Sequence, residues 1–255
     1  MKSVVKVRNV AIGEGIPKIC APLVGKSLEE LMEEASYLKE LPLDLVEWRV
    51  DFYEDFLDID KVKTVLQEIR KILKHIPIIF TFRSFKEGGQ KEVAREYYVQ
   101  LNKEIIRTKL IDIVDIELFN DKQHIEDIIS TAEENGVAVI LSAHDFEKTP
   151  SKDKILDNFQ RAVSLGAHIF KLAVMPNSTE DVINLLEATR IMKEGYSNIP
   201  VITMAMGKRG LISRISGEVF GSAITFGSGK EVSAPGQIPV EELRKIIDAI
   251  HKYSF

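Results

Sequence analysis

Short apolar runs alternate with amphipathic stretches along almost the whole chain. The runs are Lys18 to Leu23, Leu43 to Arg49, Ile78 to Phe82, Ile111 to Leu118, Val137 to Ser142, Ile169 to Ala173, Val201 to Met206 and Ala223 to Phe226. Apolar side chains at both parities mark strands buried on two faces. Between the runs, apolar residues recur three and four apart, as on a helix with one buried face. Leu28, Leu31, Met32, Ala35 and Leu38 form one such stripe; Val240, Leu243, Ile246, Ile247 and Ile250 form the last. Ser27-Leu28-Glu29-Glu30 has the pattern of a capping box, and Asn135-Gly136 that of a left-handed helix end. A long polar helix is expected from about Lys91 to Lys109. Ahead of these units, Val4 to Val10 alternates weakly and Gly13-Glu14-Gly15 reads as a turn, so a small β-hairpin is expected within residues 1–17.

Eight strand-helix units in 255 residues predict a parallel sheet with helices outside, of the size of a closed (β/α)8 TIM barrel. An open doubly wound sheet would carry a glycine-rich phosphate turn after its first strand. Pro22-Leu23-Val24-Gly25-Lys26 is not one. No linker or composition shift divides residues 1–255, so a single barrel domain with its N-terminal hairpin is expected.

Composition narrows the class. Hydrophobic residues make up 45% and charged residues 29%, ordinary for a globular protein. A net charge of −5 argues against nucleic-acid or anionic-membrane partners. There is no signal-peptide pattern at the start and no apolar run approaching a membrane span, so a cytoplasmic protein is expected. The one cysteine, Cys20, permits neither an intrachain disulfide nor a cysteine-based zinc cage.

Charge in the strands points to chemistry. In α/β barrels the active site lies at the C-terminal strand ends. There the second strand offers Glu47 and Arg49 on one face, the third Arg83, the fourth Asp115 and Glu117, the fifth His144 and the sixth Lys171; Arg214 follows the seventh. Lys171 sits among Ile169, Phe170 and Leu172. Desolvation, with Arg49, Arg83 and Arg214 nearby, is expected to lower its pKa, and a neutral amine can attack a ketone to form an imine. The bland alternatives are a snorkelling lysine and a structural salt-bridge network. His144 has the reference pKa of a residue that both takes and gives protons near neutrality. Glu47, Glu117 and His144 are of metal-ligand type, but three arginines and a lysine in the same mouth oppose a cation. Neither metal nor cofactor is therefore expected. Gly227-Ser228-Gly229-Lys230 follows the eighth strand, where many barrels bind phosphate.

The chain resembles the type I 3-dehydroquinate dehydratases over Ile19 to Ile250. The likeness rests on Glu47-Trp48-Arg49-Val50-Asp51, Phe82-Arg83 with Glu87-Gly88-Gly89, Asp115-Ile116-Glu117-Leu118 and His144-Asp145-Phe146. It continues through Lys171-Leu172-Ala173, Met206-Gly207 with Ser213-Arg214, and Ser233-Ala234-Pro235-Gly236-Gln237. The resemblance implies syn dehydration of 3-dehydroquinate through an imine on Lys171. In this scheme His144 is the base and acid, and Glu87 orients it. Glu47, Arg49 and Arg83 would meet ring hydroxyls; Arg214, Ser233 and Gln237 would hold the carboxylate. It also implies a homodimer. Alanine at 143 and Ala21-Pro22 stand where many relatives have polar side chains. The competing reading is a Schiff-base (class I) aldolase acting on a sugar phosphate, with the Gly227 to Lys230 loop as its phosphate site.

Overall fold

The computed structural model describes residues 4–196, 199–230 and 234–254. Two short strands come first, β1 (Val5–Val7) and β2 (Val10–Ile12), paired antiparallel. Val7 pairs with Val10, so the hairpin turn is Arg8-Asn9, with Arg8 at φ 52°. The expected glycine turn is instead the bend between β2 and the barrel. A weak alternation does not tell which of two polar breaks reverses the chain.

The barrel follows. Its units are β3 (Lys18–Leu23) with α1 (Leu28–Leu38), β4 (Leu45–Arg49) with α2 (Ile59–Leu73), β5 (Ile78–Thr81) with α3 (Arg95–Arg107) and β6 (Ile113–Glu117) with α4 (Lys122–Asn135). Next come β7 (Ala138–Asp145) with α5 (Lys152–Ser164), β8 (Ile169–Val174) with α6 (Thr179–Gly195), β9 (Val201–Ala205) with α7 (Leu211–Ile215) and α8 (Gly217–Phe220), and β10 (Ile224–Phe226) with α9 (Val240–Ser254). All eight barrel strands are parallel, in the order β10-β3-β4-β5-β6-β7-β8-β9. The barrel is nearly closed. At the β9–β10 seam an isolated backbone bridge joins Val201 to Ser222. The Ser222 hydroxyl accepts from Thr203 N at 3.0 Å, standing in for a missing ladder bond. No helix among the described residues is long and apolar enough to cross a membrane.

The α3 helix starts four residues later than expected. Lys91 is held in a bridge to Ser84 and its carbonyl accepts from Phe85 N at 2.9 Å, so the chain there closes a loop before turning helical. Ser27 caps α1 as its sequence implied, accepting from Glu30 N, and Gly136 ends α4 at φ 71°.

Two apolar clusters divide the core. One lies between strands and helices and includes Trp48 against Phe80, ring centroids 5.6 Å apart. The other fills the barrel's N-terminal half. Cys20, Leu45, Ile79, Ile113, Ile140 and Ile169 meet there, and Val7, Val10 and Ile12 of the hairpin pack beneath them. Ion pairs clip the hairpin in place: Asp112 accepts from Arg8 Nε and Arg70 Nη2, both at 2.6 Å. The inward parity thus begins apolar at the bottom of each strand. Two residues further along it turns polar, giving Glu47, Thr81, Asp115, Ser142 and Lys171.

Candidate active site

Period-two alternation puts Lys171 on the same face of β8 as Ile169 and Ala173. Its side chain has only 4% of its residue surface exposed, and its ammonium points across the barrel. Nζ donates to Glu47 Oε1 at 2.9 Å and to Asp115 Oδ2 at 3.1 Å. It also lies 4.5 Å from the centroid of the Phe226 ring, a favourable cation–π distance. Thr81 Oγ1 donates to the same Glu47 oxygen at 3.0 Å.

This cradle reverses the expectation for the lysine. Burial does press its pKa down, and Arg83 adds to that. Asp115 and Glu47 outweigh both, so the resting amine is held above its ordinary value. Two of the three arginines expected to unseat the proton are themselves neutralised. Arg49 is gripped bidentately by Asp51, Nε to Oδ1 at 2.8 Å and Nη2 to Oδ2 at 2.9 Å. Arg83 donates to Asp115 at 2.6 Å, to Ser142 Oγ at 2.9 Å and to Glu117 at 3.3 Å.

His144 stands at the mouth end of β7, its backbone paired with Ala173. Nδ1 is 2.8 Å from Glu87 Oε2. Glu87 reaches it from a tight 3-10 turn, Phe85–Glu87, and the two glycines that follow are both required. Gly88 has φ 81° and the ring of Phe146 lies against it; a Cβ on Gly89 would fall 1.8 Å from the Arg83 carbonyl oxygen. Burial, Arg83 and Lys171 hold His144 well below its usual value. Burial and the nearby Glu117 raise Glu87 to about 8 against the pull of Arg83. At neutral pH the imidazole is therefore uncharged and the pair's acidic proton rests with Glu87.

Arg214, on α7, comes at the cleft from the seam side. Its Nη2 donates to Pro235 O at 2.9 Å and Nη1 to Phe226 O at 3.4 Å. Among the described residues the buried Nε has no hydrogen-bond partner. Burial lowers its pKa to about 10, so it stays cationic at neutral pH, and no carboxylate among the described residues accepts a hydrogen bond from it.

Lys171, His144, Glu87, Glu47, Arg49, Arg83, Arg214 and Gln237 all line one cleft. Met204, Met206, Phe226 and Ala173 supply its apolar wall. Ser233 lies outside the described residues. Three participants had no claim from the sequence beyond lying in strands or motifs: Asp51, Asp115 and Ser142. Each is a polar side chain on the inward parity or two residues past it, and that was the available signal. The Gly227 to Lys230 segment does not line this cleft. Gly227 N donates to Cys20 O and Ser228 N to Ile238 O, both at 2.9 Å, while Lys230 pairs with Glu33 at 3.5 Å. Those amides are spent on the fold and are not free to cradle a phosphate.

A model of the Type I 3-dehydroquinase family matches residues 19–254. A curated 3-dehydroquinate dehydratase from Alkaliphilus oremlandii is 52% identical over 254 residues, the whole of both chains. Another from Clostridium novyi is 55% identical, over 97% of this chain and 98% of its own. Among solved structures, the type I 3-dehydroquinate dehydratase from Clostridium difficile with covalent modified comenic acid superposes with a TM-score of 0.97 at 49% identity, covering 99% of each chain. A lysine, a histidine-glutamate pair and an arginine with no carboxylate partner among the described residues face one cleft, in a barrel matched from end to end by these relatives, and the chain belongs to the type I 3-dehydroquinase family.

Proposed function

We propose that this protein dehydrates 3-dehydroquinate to 3-dehydroshikimate by syn elimination through an imine on Lys171. The observation that carries the reading is one cleft holding a buried lysine amine, a paired histidine and an arginine with open cationic capacity. The covalent modification named for the Clostridium difficile relative fits a nucleophile in such a cleft.

The ammonium of Lys171 first gives up a proton. The free amine attacks the C3 carbonyl, and loss of water from the carbinolamine leaves a protonated imine. His144 Nε2 removes a proton from C2, and the electron pair moves into the C2–C3 bond toward nitrogen, giving an enamine. The enamine then expels the C1 hydroxyl, which takes a proton from the His144 imidazolium and leaves as water. Addition of water to the conjugated imine releases product and restores the amine. Glu87 holds the ring through Nδ1 so that Nε2 faces the cleft. Arg214 takes the substrate carboxylate with the two-pronged geometry that guanidinium offers, and Gln237 supports it. Glu47, Arg49 and Arg83 meet the ring hydroxyls. No metal or cofactor enters any step. The inferred working form is a cytoplasmic homodimer acting on a small molecule; the net charge of −5 supports the absence of nucleic-acid and membrane partners.

Borohydride trapping with 3-dehydroquinate tests this. The expected product is a reduced ligand adduct on the peptide containing Lys171, seen by mass spectrometry only when borohydride is present. Turnover of the substrate by a folded protein that yields no adduct would overturn the imine. Inhibition by a sugar phosphate but not by a cyclic carboxylate would favour the aldolase reading.

The Glu87–His144 pair also predicts a pH dependence. Nε2 is a base only once the pair has lost the proton that Glu87 retains up to about 8. The value of kcat/KM should therefore rise with pH through neutrality and flatten near that point. Glu87→Gln removes the retained proton and the carboxylate that favours imidazolium, so the acid limb should move to lower pH. A limb unchanged in that variant would remove Glu87 from the proton relay.

A further inference from the structure

Four carboxylates surround the lysine and its neighbouring arginine. Glu47 touches Lys171 directly, and Glu87 and Glu117 lie within 3.8 Å and 3.3 Å of Arg83. With Glu87 retaining its proton up to about 8, Glu47 and Glu117 already match the two cations. Asp115 is thus redundant for neutralising charge, yet it is wholly buried, where an ion without a task is costly.

Its bonding shows a task. Asp115 Oδ1 is pinned from two strands: Arg83 Nη2 donates to it at 2.6 Å and Ser142 Oγ at 2.6 Å. Ser142 in turn accepts from Arg83 Nη1 at 2.9 Å, closing a triangle. The other oxygen, Oδ2, accepts from Lys171 at 3.1 Å. One half of the carboxylate is anchored and the other half presents to the amine. Asp115 does not line the cleft, whereas Glu47 does. Among the described residues Glu47 has Lys171 and Thr81 as donors, so a substrate hydroxyl can compete for it.

We propose that Asp115, which touches no substrate, is a positioning residue that aims Lys171 Nζ into the cleft from the anchor made by Arg83 and Ser142. It keeps the amine in place when an arriving hydroxyl draws Glu47 away. It also holds the resting lysine as ammonium, so the nucleophile is unmasked by substrate and not by solvent. The charged and titratable groups around this pair are Glu47 on β4, Arg83 beyond β5, Glu117 on β6, His144 on β7 with its partner Glu87, and the buried Cys20 on β3. This inference rests on the imine chemistry proposed above.

The test is Asp115→Asn in the full chain. The side chain keeps its size, and its oxygen can stay on Arg83 and Ser142. Its NH2 then faces the lysine, a donor against a donor. We expect kcat to fall about 100-fold, the scale of a small misplacement of a reacting group, with KM within about threefold. Competitive labelling with acetic anhydride, read on the Lys171 peptide, should find the amine reactive at lower pH than in the parent. Parent kinetics in the variant would overturn the proposal. So would a fall in kcat with an unmoved labelling profile, since that is what a merely structural role predicts. Should the asparagine variant not fold, Ser142→Ala carries the test. It keeps the carboxylate but loosens its anchor, and should lower kcat severalfold at an unchanged melting temperature; parent kcat there would refute the idea. Borohydride trapping in the parent separates the two levels. No adduct on Lys171 would sink the functional reading, whereas an adduct beside an unaffected Asp115→Asn sinks only this one.

Discussion

Lys171→Arg is expected to abolish turnover, to the extent of about 10⁶-fold seen when a covalent enzyme loses its nucleophile. The substitution keeps a cation between Glu47 and Asp115, the two carboxylates 2.9 and 3.1 Å from Nζ. The fold should therefore survive, and the loss will report chemistry alone. A guanidinium does not form the imine because it stays protonated at every accessible pH. Lys171→Ala should be equally inactive but less informative. It leaves two buried carboxylates without their shared partner, a change that costs about 3–5 kcal/mol when a buried pair is broken. The check is steady-state turnover beside a thermal melt. Turnover above a thousandth of the parent rate in a folded arginine variant would mean that the lysine is not the nucleophile.

His144→Ala should separate the two halves of the reaction. The lysine and its cradle are untouched, so the proposed imine should still form and borohydride should still trap it. Removal of the C2 proton then lacks its base, and kcat should fall about 10²- to 10⁴-fold, the usual contribution of a positioned acid-base group. The trapped species should be the adduct of substrate, not of product, because the chain of steps halts before elimination. Normal turnover would take His144 out of the mechanism. A product-mass adduct at the parent rate would point to Glu87 or water as the proton carrier.

The barrel was legible because its strands are apolar on both faces and its helices on one. Ile111 to Leu118 and Ile169 to Ala173 read as strands from that pattern, and the structure has strands there at Ile113–Glu117 and Ile169–Val174. Strand parity also grouped Glu47 with Arg49 and Asp115 with Glu117. Parity says nothing of what lies across the barrel. Lys171 meets Glu47 and Asp115, 124 and 56 residues away in the chain, and only closure of the sheet brings them within bonding distance. The direction of the lysine's pKa shift was misjudged for this reason: desolvation can be read from neighbours in sequence, whereas the compensating carboxylates are neighbours in space. Glu87 was claimed only through the family resemblance. Its reach to His144 depends on Gly88 at φ 81° and on the close pass of Gly89 against Arg83, a backbone path that no periodicity encodes. Arg214 had a position after the seventh strand but no orientation, since its partners are the carbonyls of Pro235 and Phe226.

The hairpin under the barrel has a kinetic consequence. Val7, Val10 and Ile12 seal the N-terminal end beneath a layer of isoleucines, so the cleft is closed at its floor and is entered from the C-terminal face. Substrate, product and the water formed in each cycle all pass the same threshold, and arrivals queue behind departures. Occupancy by product then excludes substrate outright. On the dehydration proposed above, product should therefore inhibit competitively against substrate, a pattern that initial rates measured with added product would show.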